Sequence, residues 1–198
     1  ASRSDNPDYK YGWGVVRLGS LPSPITAIRG HWAEEAVDWA FATGITEGCP
    51  TLGELTCPEL AVTRDEMAQF MWRFKSLPLA TVSAAFDDVS ADATYGPAVN
   101  WLAENGITLG CTPTSYCPDG TVTRAEMAAF LWRLEGSPAG STPAGFTDVP
   151  DESFAGEAVD WLLASETTTG CTTTAYCPEG LVTRAEIFTF LKRMDGAA

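Results

Sequence analysis

Apolar and polar positions along the 198-residue chain fall into two helical registers that alternate three times. In the first register, Trp32, Ala36, Val37 and Ala40 form an i, i+4, i+5, i+8 stripe, while Glu34, Glu35 and Asp38 lie outside it. That spacing predicts an amphipathic helix over about Trp32–Thr43, with counterparts at about Tyr95–Asn105 and Phe154–Ser165. In the second register, Met67, Phe70, Met71 and Phe74 repeat at i, i+3, i+4, i+7. Met127, Phe130, Leu131 and Leu134 do the same, as do Ile187, Phe190, Leu191 and Met194. These stripes read as core. Gly44 and Gly106 stop the first helix of the first two copies. The third copy reads SETTTG there and lacks the glycine, so a differently built helix end is expected.

Fixed landmarks show that the chain is a threefold repeat. Trp39, Trp101 and Trp161 sit in AVDW, AVNW and AVDW. A Gly-Cys follows each, at Cys49, Cys111 and Cys171, and then a Cys-Pro, at Cys57, Cys117 and Cys177. VTRDEM, VTRAEM and VTRAEI come next, with Thr63, Thr123 and Thr183 spaced sixty apart. The copies span 30–78, 86–136 and 146–196 and are joined by Pro-, Gly-, Ser- and Ala-rich linkers. A copy of this size has too little core to stand alone, so the three are expected to pack around a pseudo-threefold axis. Residues 1–29 precede the repeats. Their YKYGWGVVRLG (9–19) reads as an extended arm, serving either as a linker or as a segment that docks on a neighbouring subunit.

The cysteines bear on stability and compartment. They form three close pairs without a CxxC, and His31 is the lone histidine, so tetrahedral zinc is not expected. Three local disulfides fit instead: Cys49–Cys57, Cys111–Cys117 and Cys171–Cys177. Loops this short each contribute about 2.4 kcal/mol in loop-closure entropy. Such staples belong to an oxidising, extracytoplasmic setting.

Within the repeated phrase, Thr and Glu have a complete local explanation. Thr-x-x-Glu ahead of an apolar-periodic run is a capping box, with each N-cap contributing about 1 kcal/mol. The arginine has no such explanation. Arg64, Arg124 and Arg184 occupy the first helical position, where a cation opposes the helix dipole. Either the arginine and nearby backbone N–H groups form a small anion site, or each arginine pairs with a carboxylate of a neighbouring copy.

Charge and motif content exclude several classes. With 26 acidic and 12 basic residues the net charge is −14, which argues against a nucleic-acid or anionic-membrane binder. No apolar run reaches the roughly 18 residues of a membrane span. The first residues lack a basic and apolar leader pattern, so any signal peptide is expected to have been removed already or left out of this sequence. Nucleophile elbow, HExxH, phosphate loop and EF-hand spacing are all missing, so neither catalysis, a cofactor nor a metal is expected.

FDDVS (86–90), FTDVP (146–150), GHWAEEAV (30–37), the glycines after the first helices and the three TR(A/D)E phrases together resemble S-layer homology domains. The resemblance covers about residues 30–196. It implies an all-α, three-pronged spindle with a central three-helix bundle and grooves between the prongs. It further implies a non-catalytic protein of the bacterial cell wall or surface layer, binding an acidic wall polysaccharide that often bears a pyruvate ketal. In the family the phrase's arginine is the main contact to the anionic sugar, which falls here on Arg64, Arg124 and Arg184. Trp39, Trp101 and Trp161 are then candidate sugar-stacking faces, against a role in the core. Asp88 and Asp148 read as caps or arginine partners, and His31 as structural. The first copy departs from F-x-D-V with ITAIRG, and the cysteine pairs have an actinobacterial style, which leaves the wall polymer's identity open. A subunit that assembles with copies of itself through its arm is the alternative.

Overall fold

In a computed structural model, residues 28–49, 56–83, 86–150 and 152–196 are described, and the expected N-terminal arm lies outside them up to residue 27. The fold is all-α. Among the described residues the helices are α1 (Glu34–Ala42), α2 (Arg64–Phe74), α3 (Gly96–Glu104), α4 (Arg124–Leu134), α5 (Gly156–Ala164) and α6 (Arg184–Gly196). The first helix of each copy packs on the second helix of the copy before it: α3 on α2, α5 on α4, and α1 on α6. The last of these pairings closes the chain into a ring.

The ring closes on the backbone as well. The valine ahead of each TR(A/D)E is fully buried. Val122 N–H donates to the Val62 carbonyl (3.0 Å), Val182 to Val122 (2.9 Å), and Val62 to Val182 (2.8 Å). A β-branched residue favours the extended backbone that these bridges need. Three such bonds running in one direction define the pseudo-threefold axis. Around them Met67, Met71, Met127, Leu131, Ile187 and Leu191 fill the core. Near the far end of each second helix an arginine ties back to its own copy: Arg73 to the Ile45 carbonyl, Arg133 to Ile107 and Arg193 to Thr167.

Two local expectations need correction. Trp32 is not in the first helix and is 63% exposed. The helix starts at Glu34 because His31 organises the turn before it. Its Nδ1 accepts the Ala33 N–H (3.1 Å), and its Nε2 lies 2.7 Å from Glu59 Oε1. Ala33, not Trp32, fills the core position. The third copy's helix end follows the same geometry as the others. Glu166 takes the left-handed conformation (φ 58°) that Gly44 and Gly106 take in the other copies. A side chain there costs about 1 kcal/mol or more.

The disulfides Cys49–Cys57, Cys111–Cys117 and Cys171–Cys177 all form. They staple the loops between helices, and those loops build the junctions described next.

Candidate functional site: the junctions between copies

Each TR(A/D)E phrase lies where one copy meets the next. The capping boxes are present: Glu66, Glu126 and Glu186 each accept the N–H of their N-cap threonine through Oε2 (3.3, 2.9 and 2.9 Å). The next two N–H groups of each helix are taken by the neighbouring loop. Arg64 and Asp65 donate to the Gly120 and Pro118 carbonyls, Arg124 and Ala125 to Gly180 and Pro178, and Arg184 and Ala185 to Leu60 and Pro58. The expected cradle of bare backbone donors is therefore absent, because carbonyls of the adjacent copy occupy it.

The arginine side chains cross the same junctions. Arg64, Arg124 and Arg184 are 5%, 6% and 1% exposed. Nε of Arg64 donates to the Tyr116 carbonyl (2.8 Å), and Nη1 to Glu126 Oε1 (3.1 Å). Arg124 does the same with Tyr176 (2.8 Å) and Glu186 (2.7 Å). Arg184 reaches the Thr56 carbonyl (3.3 Å) and Glu66 (2.5 Å). The capping-box glutamate thus works twice: one oxygen caps its own helix and the other pairs the arginine of the preceding copy. Each guanidinium is stacked between rings, Arg64 between Tyr116 and Phe130 at 5.1 and 5.3 Å, and Arg124 between Tyr176 and Phe190 at 4.9 and 5.8 Å. Tyr116 and Tyr176 return a hydroxyl bond to the Arg64 and Arg124 carbonyls (2.7 and 3.0 Å). Burial raises both phenol pKa values, against the opposing pull of the arginines.

The aspartates of F-x-D-V brace these loops. Asp88 accepts the N–H groups of Tyr116 and Cys117 (2.7 Å each), and Asp148 those of Tyr176 and Cys177 (2.8 Å each). Burial would raise these carboxyls, but the backbone donors, aided by Arg64 and Arg124, outweigh it and leave both pKa values lowered. They act as loop clamps, consistent with their reading as caps.

The junctions differ at one atom. Arg184 Nη2 donates to Thr46 Oγ1 (3.0 Å) and to the Gly48 carbonyl (2.5 Å). Among the described residues, Nη2 of Arg64 and of Arg124 makes no hydrogen bond. The sequence accounts for this. The tyrosine of the second and third copies is Thr56 in the first, so Arg184 lacks that ring beneath it. Phe188 replaces the alanine found at 68 and 128 and fills the space, 5.0 Å from Phe70 and 5.5 Å from the Arg184 guanidinium. A cavity of about 300 Å³ beside Arg184 is lined by Glu47, Asp65 and Glu66 as well as Arg73, so carboxylates outnumber arginines there. Burial pulls Arg184 below the usual arginine pKa, with Glu66 opposing.

Trp39, Trp101 and Trp161 are half-buried against the core rather than gathered at the arginines. Trp39 meets Phe74 edge-on at 6.4 Å, and Trp161 lines a separate cavity with Phe74, Lys75 and Met194. Residues missed from the sequence are Tyr116 and Tyr176, and the buried Thr46, Thr108 and Thr168. Those threonines recur two positions before each Gly-Cys, a signal the repeat register carried.

Residues 85–128, which include Arg124 and its capping box, match the S-layer homology domain. Over 169 residues the chain is 24% identical to an S-layer protein of Bacillus thuringiensis subsp. finitimus, covering 83% of this chain and 20% of that protein. It is 33% identical over 108 residues to the surface-layer 125 kDa protein of Lysinibacillus sphaericus, covering 53% of this chain and 9% of that one. It is 28% identical over 112 residues to an amylopullulanase of Thermoanaerobacterium thermosulfurigenes, of which it covers 6%. The chain therefore spans a fifth or less of these relatives.

Proposed function

We propose that the chain, whose residues 85–128 match the S-layer homology domain, is a non-catalytic module of the bacterial cell surface that holds an acidic wall polysaccharide at the Arg64 and Arg124 junctions. Similar stretches occur in layer proteins and, as a small share, in an enzyme, the distribution of an attachment module. One observation carries the choice of site. Arg64 and Arg124 are locked by Nε, Nη1 and two rings, yet among the described residues neither Nη2 has a hydrogen-bond partner.

A rigid planar donor of this kind suits a sugar carboxylate, including that of a pyruvate ketal. Its charge is already paired with Glu126 or Glu186, so recognition is directional hydrogen bonding more than bare attraction. That fits a chain of net charge −14, whose overall field repels anions. Arg184 instead has all three nitrogens bonded and closes its own junction. Trp39, Trp101 and Trp161 support the fold around these sites.

The test is retention on purified wall polysaccharide. Lysine at the arginine positions keeps a cation for the glutamate but removes Nη2. Arg64→Lys with Arg124→Lys should weaken retention by about 10-fold or more per site, from the loss of a charge-assisted bond. Arg184→Lys should retain near-normal binding, with melting curves taken alongside to show that each variant is folded. Full retention by the double variant would refute this reading. The alternative, a self-assembling layer or filament subunit using residues 9–19, is favoured by the names of the layer relatives. Electron microscopy of the chain with and without its first 20 residues tests it.

A further inference from the structure

The arginines of the junctions open the central helices, and a different site lies at the other end of the same helices. Arg64 begins α2 and Phe74 ends it, a separation of about 16 Å along the axis. At that far end the repeat register brings two sets of side chains together. Phe74, Leu134 and Met194 occupy one register position, and Lys75, Glu135 and Asp195 the next. A cavity of about 440 Å³ lies among them, lined by Phe74, Lys75, Glu135, Met194 and Asp195 together with Trp161 of α5. That volume falls within the range of small-molecule sites.

One departure from the repeat accounts for the space. In the first copy Phe74 meets Trp39 edge-on at 6.4 Å. The residue that stands to Trp161 as Phe74 stands to Trp39 is Met194, unbranched and without a ring. Trp161 packs on the core and also lines the cavity.

The charges point to one sign of ligand. Lys75 Nζ pairs with Glu135 at 2.8 Å and lies 5.5 Å from the Phe74 ring centroid. Those two charges cancel. Asp195 is the third charged group of the lining, is exposed, and among the described residues has no ion-pair partner. The C-terminal ends of α2, α4 and α6 add their negative dipole ends. An indole is the best aromatic face for a cation. The net charge of −14 draws cations toward the chain rather than away.

We propose that this cavity binds a compact organic amine of monosaccharide size, an amino sugar with a free ammonium group. The ammonium pairs with Asp195, and the body of the ligand lies against Trp161 and Met194. The site does not rest on the polysaccharide reading, because its lining contains none of Arg64, Arg124 and Arg184.

NMR of the full chain titrated with glucosamine, N-acetylglucosamine and glucose tests it. Glucosamine should shift the Trp161 indole N–H signal in a saturable way. N-acetylglucosamine, whose nitrogen is uncharged, and glucose, which has none, should bind 10-fold or more weakly. Asp195→Asn should weaken glucosamine about 10-fold, from the loss of one charged partner. Met194→Phe should fill the cavity as Phe74 covers Trp39, and abolish the shift while the melting temperature is kept. No shift with glucosamine, or an equal response to N-acetylglucosamine, would overturn the proposal. So would glucosamine binding that is undiminished in Asp195→Asn, which keeps the test decisive should Met194→Phe fail to fold.

Discussion

Replacing Glu186 with alanine should destabilise the protein far more than loss of one half-exposed glutamate ordinarily does. Glu186 Oε2 accepts the Thr183 N–H at 2.9 Å, and Oε1 pairs Arg124 at 2.7 Å. Loss of the reciprocal cap costs about 1 kcal/mol. Arg124, 6% exposed, is then left without its counter-ion. Breaking a buried pair costs about 3–5 kcal/mol, and the 26% exposure of the Glu186 side chain brings that to about 2–3. The total of about 3–4 kcal/mol is a large fraction of an ordinary domain's stability and corresponds to a melting shift of about 10 °C. Urea titration followed by tryptophan fluorescence measures it. The coupling is specific: Glu186→Ala combined with Arg124→Ala should cost about 2 kcal/mol less than the sum of the singles. Across the ring the order should follow burial of the pair, with Glu66→Ala worst and Glu126→Ala mildest. Strict additivity, or a Glu186→Ala cost below about 1 kcal/mol, would refute the idea that these pairs join the copies.

Other consequences can be checked on the same material. The Asp88 and Asp148 pKa values are lowered on folding, so their contribution is complete above the unfolded value of 3.8 and is lost as pH falls through the lower folded value. Asp148→Asn should cost about 2 kcal/mol at neutral pH and flatten the acid limb of the stability curve. Phe188→Ala should cost about 3 kcal/mol, and Thr56→Tyr should recover part of that loss, since it restores the ring used at the other two junctions. Glu166→Gly should stabilise by about 1 kcal/mol through relief of the left-handed conformation, read as a rise in melting temperature. Reduction with a dithiol should cost about 2.4 kcal/mol for each loop opened.

The helices, the caps and the cysteine pairing were legible because each depends on residues close in sequence. Met127, Phe130, Leu131 and Leu134 announce a helix face by spacing alone, and Thr123 with Glu126 announces its start. The swapped pairing of α1 with α6 was not legible, because it depends on which neighbour each stripe meets. The same limit applies to the arginine. Whether Arg124 faces a ligand or Glu186, sixty-two positions away, is a question of ring closure and not of local pattern. Trp32 misled because a single aromatic fits a helical stripe whether or not the helix has begun. The asymmetry at Arg184 was present in the sequence as Thr56 and Phe188, two departures from the repeat that make physical sense only when they are seen to touch the same guanidinium.

The most direct test of the central claim is to follow the arginine side-chain nitrogens by NMR while purified wall polysaccharide is titrated into the full chain. The account predicts that the guanidinium signals of Arg64 and Arg124 shift and saturate, while those of Arg184, bonded to Thr46 and Gly48 throughout, stay in place. Movement of Arg184 alone, or of none of the three at saturating polymer, would contradict it.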